Sequence, residues 1–215
     1  MTVPLDTGRE RRADPSISRL RVPGPDELSG PARSILATAE RTEGHLPNWL
    51  PAFALGGDHF VRLADYLFPL LRSQGAGTLT DREREIIATV VSVDNGCAYC
   101  HTHHVYELGE LLGDHWLAAR IGIDHREVNE LSEREHALAS LALKLTRAPR
   151  DVTEPELDQL RALGLADETI LEAIQVAAII NATNRITLAL NVLPDREIFG
   201  MTRPRPQVQR LEESP

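Results

Sequence analysis

Apolar residues recur along this chain at intervals of three and four, and no stretch alternates with period two for long enough to demand a strand. The pattern predicts an all-α fold, multi-helical, with helices packed pairwise and no sheet. A helix is expected from about Ser29 to Arg41, with Pro31 near its first turn, where a missing N–H costs nothing. Gly44 to Pro51 is a breaker-rich connection, and a long helix is expected from about Ala52 to Arg72, ended by Gly75-Ala76-Gly77. Thr80 followed by Glu83 has the form of a capping box and opens a helix from Asp81 to about Val93. Asp94-Asn95-Gly96 breaks that helix, and Cys97 is expected in the first turn of the next, which runs to about Leu112 before Gly113. Ser132 with Glu135 and Thr153 with Glu156 start helices reaching about Arg147 and Leu163, and Asp167 caps a long apolar helix that ends before Pro194.

Residues 1–20 offer no periodic apolar face and read as a flexible arm, residues 21–195 as the helical domain, and residues 196–215 as a tail. At 215 residues the chain is long enough to bury a substantial core without disulfide or metal staples. The net charge of -9, with no basic cluster, argues against nucleic acid and against anionic membrane surfaces. The first 25 residues carry no apolar run of signal-peptide length, so the chain is expected in the cytoplasm and its thiols in a reducing compartment. A cytosolic cysteine pair is catalytic or metal-binding before it is structural.

The chain has two cysteines, and both fall in the octet Cys97-Ala98-Tyr99-Cys100-His101-Thr102-His103-His104. On a helix Cys97, Cys100 and His104 stand at i, i+3 and i+7, one stripe with an imidazole a turn beyond the second sulfur. A thiol reacts as thiolate, and a neighbouring histidine and a helix N-terminus both lower its pKa. One helix earlier, Glu85 shares a stripe with Ala88, Thr89 and Ser92, opposite the greasy side of Ile86, Ile87, Val90 and Val91. Beside Arg82 and Arg84, Glu85 reads equally as a solvated surface group or as a carboxylate reaching His104 to orient the ring and share its proton.

The spacing of Glu85, eleven residues, Cys97-x-x-Cys100, three residues and His104 resembles the active-site motif of the alkylhydroperoxidase D-like and carboxymuconolactone decarboxylase superfamily. The similarity is greatest to its peroxidase-related branch, with Leu46-Pro47-Asn48 and Asn184-Arg185-Ile186 adding to it, and it spans about Arg21 to Asn191. The resemblance implies the AhpD-like fold and a thiol-dependent peroxidase. In it Cys100 would be oxidised by a hydroperoxide, Cys97 would resolve the sulfenic acid as a disulfide, His104 would activate Cys100, and Glu85 would end the proton relay. It implies a hydroperoxide substrate, a dithiol reductant of protein or lipoyl type, and a homo-oligomer (dimer, trimer or hexamer). It implies no cofactor and no metal. The best-known alkylhydroperoxidases carry a histidine immediately before the second cysteine, where this chain has Tyr99, a poorer proton shuttle near neutral pH.

Physical reasoning alone does not choose the attacking thiol. Cys97 feels the helix N-terminus more strongly, Cys100 is better placed for His104, and the alternative has Cys97 facing solvent with Cys100 buried behind it. Rival readings of the octet are a c-type haem attachment signature ending at His101, a zinc site of Cys97, Cys100, His101 and His104, a redox switch without turnover, and a pair of inert core thiols. Zinc usually draws ligands from two separated elements, and no second cluster is present in the sequence. His103 reads as a surface or interface histidine. Trp49, Phe53, Phe60 and Phe68 read as core. On the last helix Asn181 and Arg185 share a face with Ile174, Ala177, Ala178 and Leu188, so both are expected to interrupt the core, either lining a substrate pocket or, in the favoured structural role, bonding across a subunit interface.

Overall fold

The computed structural model describes residues 16–72 and 78–200 of the chain. The expected helix stop at Gly75-Ala76-Gly77, most of the N-terminal arm and residues 201–215 of the tail lie outside the described residues. Where the described chain begins, Arg19 N donates to Leu190 O (2.7 Å) and Leu193 N to Ile17 O (3.2 Å), so contacts with the helical body start before residue 21.

The helices are α1 (Gly30–Glu43), α2 (Trp49–Ala54), α3 (Asp58–Leu71), α4 (Asp81–Asp94), α5 (Ala98–Leu112), α6 (His115–Asp124), α7 (Glu133–Arg147), α8 (Glu154–Ala162) and α9 (Asp167–Leu190), joined by turns and short 3-10 segments. Among the described residues there is no strand. Most boundaries follow the sequence grammar, because the caps form as expected: Ser29 Oγ accepts from Ala32 N, and Thr80 and Ser132 build capping boxes with Glu83 and Glu135. The two boxes are also cross-bonded, Arg134 Nε to Glu83 Oε1 and Arg82 Nε to Glu135 Oε1, each at 2.5 Å, which ties the start of α4 to the start of α7.

Two boundaries differ. The helix expected from Ala52 to Arg72 is two helices, since Gly57 turns into positive φ (56°) and stops α2 from running into α3. Asp167 is the first residue of α9, not its cap, a position occupied by Ala166. Helix α6 had no counterpart in the pattern reading. It starts directly after the α5 stop, with Asp114 accepting from Leu117 N (2.9 Å), and it packs so close to α5 that a Cβ on Gly109 would meet the His115 ring at 2.1 Å.

Helix α4 is the central element, packed against α5, α6, α7 and α9. Glu83 through Ser92 are all buried, so the expected solvent-facing stripe does not exist. Arg84, which read as a surface charge, is fully buried and pairs with Glu172 of α9 while donating to Leu79 O. A buried guanidinium is tolerable only with such partners. Helix α9 is long and apolar enough by length and composition to cross a membrane, but one side of it, including Val176, Ala177 and Ile180, belongs to the core shared with α4 and α7. Its buried polar residues are Thr169 near the start and, in its second half, Thr183, Asn184 and Thr187, a rotation from the face expected. Asn184 Nδ2 donates to Ser92 Oγ (3.0 Å) and sets the register of α9 on α4.

Helices α1 to α3 build a second core cluster, in which Ala32, Leu50, Phe53 and Phe60 pack together with Cys97, Tyr99 and Cys100. The thiol pair is therefore covered by the N-terminal third of the chain.

Candidate active site

The turn into α5 is made by Gly96, whose φ of 65° excludes most other residues at little cost. Cys97 follows as the N-cap of α5, its backbone N–H donating to Ser92 O (3.0 Å) and its sulfur accepting from Cys100 N (3.3 Å). The two sulfurs lie at disulfide distance, with Cα atoms 5.4 Å apart. Cys97 is sealed in (1% exposed), whereas Cys100 (7%) forms part of a cavity wall. The arrangement with Cys97 outermost and Cys100 behind it is thus reversed.

Glu85 and His104 are brought together because the Asn95-Gly96 turn folds α5 back along α4. His104 Nδ1 donates to Glu85 Oε2 at 2.8 Å, with both side chains about nine-tenths buried. A carboxylate only accepts, so this bond places the ring proton on Nδ1 and leaves the Nε2 lone pair for another proton. The solvated reading of Glu85 is overturned: the core closes over it, and its charge has a partner.

Cys100, Glu85 and His104 border one cavity of about 70 Å³, room enough for several waters or a short organic group. Its apolar wall is Trp49, Phe53, Leu67, Phe68, Leu71 and Ile180, with Trp49 edge-on to Phe53 at 5.4 Å. Phe53 and Phe60 are core residues as expected, while Trp49 and Phe68 are partly buried and pack against that core; Trp49, Phe53 and Phe68 are also the cavity's wall. Its far side is polar. Arg72 lies 3.2 Å from Glu43 and 4.0 Å from Glu107, and these three with His103 also border an outer vestibule. Burial raises the Glu43 and Glu107 carboxyls above their ordinary range, Arg72 pulling the other way.

His103 is not a surface histidine. Burial holds its imidazole down to about 3, its Nδ1 is enclosed without a partner, and its ring stacks on Tyr99 with centroids 6.1 Å apart. Tyr99, buried between the cysteines, donates its O–H to Asp195 Oδ2 at 2.7 Å, and burial followed by the Asp195 charge pushes its phenol well above the ordinary value. Tyr99 is a fixed donor, tied to the chain beyond α9. Asp195 Oδ1 accepts from Asn48 N (2.8 Å), so the Leu46-Pro47-Asn48 segment is held at the same point.

The four-ligand set Cys97, Cys100, His101 and His104 is not assembled, since the sulfurs face each other, His104 is bonded to Glu85, and His101 is exposed beside Gly122 of α6. Among the described residues the group whose donor atoms come within 4.8 Å of one another is His45, Asp195 and Glu197, and Asp195 there is engaged by Tyr99 and Asn48. Arg185 is exposed, and Asn181 is half-buried, donating to Thr146 Oγ1 (2.9 Å) and accepting from Asn95 Nδ2 (3.0 Å); neither interrupts the core or reaches the cavity. Sequence reasoning missed His103, Glu107, Arg72, Glu43 and Asp195. Only Glu107 left a local signal, at i+4 from His103 and i+3 from His104 on one helix.

Helices paired around a buried CxxC turn, backed by a glutamate–histidine pair, define a class. The carboxymuconolactone decarboxylase family model matches residues 58–111, which span α3 to α5 and hold the whole motif. An AhpD-core, peroxidase-related protein from Ralstonia eutropha JMP134 is 28% identical, with 88% of this chain and 97% of that chain covered at a TM-score of 0.81. A peroxidase-related protein from Silicibacter sp. TM1040 is also 28% identical, with 91% and 100% covered at 0.78. The debrominase Bmp8 shares the fold at 17% identity, with 86% and 95% covered at 0.70. No curated protein sequence matches. The family model and these structures together support a likeness to the AhpD-like and carboxymuconolactone decarboxylase superfamily.

Proposed function

We propose that this protein is a cytoplasmic, homo-oligomeric, thiol-dependent peroxidase that reduces an organic hydroperoxide and is recycled by a dithiol donor. The observation that carries the reading is that Cys100, at disulfide distance from a sealed Cys97, shares an apolar cavity with the bonded His104–Glu85 pair. His104 Nε2 takes the Cys100 proton, and Glu85 stabilises the imidazolium. The thiolate attacks the terminal peroxide oxygen, the O–O bond breaks, and an alcohol leaves with Cys100 as sulfenic acid. Cys97 then displaces water from that sulfur to form the disulfide, and the external dithiol returns both thiols while becoming a disulfide itself. Exposed Trp116 and Ile123 on α6 support burial against further copies of the chain.

The fold does not by itself select this chemistry, since a debrominase shares it. The test is reaction of the reduced protein with cumene hydroperoxide and a dithiol. Turnover is expected, with loss in Cys100→Ser and no stoichiometric metal. No turnover with any dithiol points instead to a redox switch, and one tightly bound zinc per chain overturns the peroxidase reading.

A further inference from the structure

We propose that His103, backed by Glu107, is the acid that protonates the departing oxygen when a hydroperoxide is cleaved at Cys100, a role separate from thiol activation by His104 and Glu85. This rests on the peroxidase reading above. Attack by the thiolate forms an S–O bond and breaks the O–O bond; sulfur is oxidised, the peroxide is reduced, and the remaining oxygen departs as an alkoxide. An alkoxide is a poor leaving group in a cavity walled by aromatic rings unless a proton meets it. The departing oxygen lies one bond further from sulfur than the oxygen attacked, so its donor must stand beyond the group that serves the thiol.

His103 borders both the cavity and the outer vestibule, whereas His104 borders the cavity and not the vestibule. His103 is one helical turn from Cys100, at i+3, with His104 at i+4, and both imidazoles border the cavity that Cys100 borders. Their centroids are 5.9 Å apart and their planes nearly perpendicular (79°), which gives them different directions of approach. His104 is committed to Glu85, while His103 Nδ1 is enclosed without a partner. Stacking on Tyr99 at 9° fixes the ring plane, and Tyr99 is itself held by Asp195. This tyrosine stands where the better-known alkylhydroperoxidases have a histidine, and here it serves as the platform for a histidine four residues later.

The supply line is Glu107. His103 Nε2 lies 4.0 Å from Glu107 Oε1, and Glu107 borders both the inner cavity and the outer vestibule. The other charged or titratable groups facing His103 are His104, Arg72 and His45. Burial keeps the imidazole neutral and raises the Glu107 carboxyl above its ordinary range; in the proposed step the neutral ring gives Nδ1–H to the alkoxide while Nε2 is reprotonated from the Glu107 side. Glu107 is reloaded from vestibule water, which balances the proton His104 later releases.

The experiment is single-turnover thiol loss with two oxidants, tert-butyl hydroperoxide, whose leaving alkoxide needs a proton, and perbenzoic acid, whose leaving carboxylate does not. His103→Phe and Glu107→Gln are expected to slow the first on the order of 10²-fold while changing the second little. Cys100 alkylation by iodoacetamide is expected to keep its wild-type rate, because the thiol is still activated. The ratio of the two oxidants is taken within each protein, so a partly misfolded variant still reports, and His103→Gln replaces the phenylalanine if that variant does not fold. Equal slowing of both oxidants, or no change in the ratio, overturns the role. A wild-type protein inert to both overturns the peroxidase reading itself.

Discussion

Glu85 and His104, nineteen positions apart on consecutive helices, meet at 2.8 Å with both side chains about nine-tenths buried. The bond fixes both the tautomer and the orientation of the imidazole. Glu85→Gln keeps the shape and removes the charge that stabilises the imidazolium. Cys100 oxidation is expected to slow on the order of 10²-fold, with its pH profile moved upward, since a less basic histidine leaves more of the thiol protonated. Stopped-flow rates across pH check this, and an unshifted profile would show that Glu85 has only a packing role.

The depth of the two sulfurs, Cys97 sealed and Cys100 on the cavity wall, supports the proposed order of attack and resolution. Cys97→Ser is expected to stop after one peroxide with a single added oxygen on Cys100, and Cys100→Ser to add none. Intact-protein mass spectrometry after one equivalent of hydroperoxide reads both, and an oxygen on Cys97 in the Cys100→Ser protein would reverse the assignment.

Tyr99 and Asp195 join the CxxC turn to the chain beyond α9 through a bond of 2.7 Å between two buried groups. Tyr99→Phe removes a donor from a carboxylate that water cannot reach, a loss of about 1–3 kcal/mol. For a chain of this size each kcal/mol moves the melting temperature by about 2–4 °C. Thermal unfolding by circular dichroism is expected to show that drop, and an unchanged midpoint would mean that Asp195 finds another donor.

His103 makes stability depend on pH with a definite sign. Its folded-state value of about 3 lies below the ordinary 6.5, so between those values the unfolded chain binds the extra proton. Stability is therefore expected to fall as pH drops from about 6.5 toward 3 and to be insensitive to this group above that window. Glu43 and Glu107, both raised, act oppositely: their contribution is present at lower pH and lost as pH climbs through their folded values. Comparing His103→Phe with wild type in urea titrations at several pH values isolates the histidine. The variant should show a flatter pH dependence by up to about one proton, and parallel curves would contradict its burial as a neutral ring.

Arg84 tests the buried ion pair beneath the site. Arg84→Leu removes the guanidinium from Glu172, which keeps its bonds from Thr78 and Leu79 N, and takes a donor from Leu79 O; the expected cost is about 1–3 kcal/mol. The double variant with Glu172→Leu should recover much of that in chemical denaturation. If it does not, the pair contributes through geometry that two leucines cannot replace.

Local rules of the chain determined most of the helices and the reach of the motif. Capping boxes at Thr80 and Ser132, the Asp94-Asn95-Gly96 break and the i, i+3, i+7 spacing of Cys97, Cys100 and His104 are short-range features, and a backbone answers them wherever it sits. Burial is not short-range. Arg84 looked solvated because its neighbours are charged, yet four helices close over α4; Arg185 looked buried because α9 is apolar all along, yet its buried side is turned toward Asn184. The partners of Tyr99, His103 and Arg72 come from segments far apart in the chain or from a rotation around α5 that spacing leaves undetermined, so only the packed structure decided them. The sequence determined which residues could do the chemistry, and tertiary packing decided which of them share a cavity, because hydrogen bonds and charges act over a few ångströms of space whatever their distance along the chain.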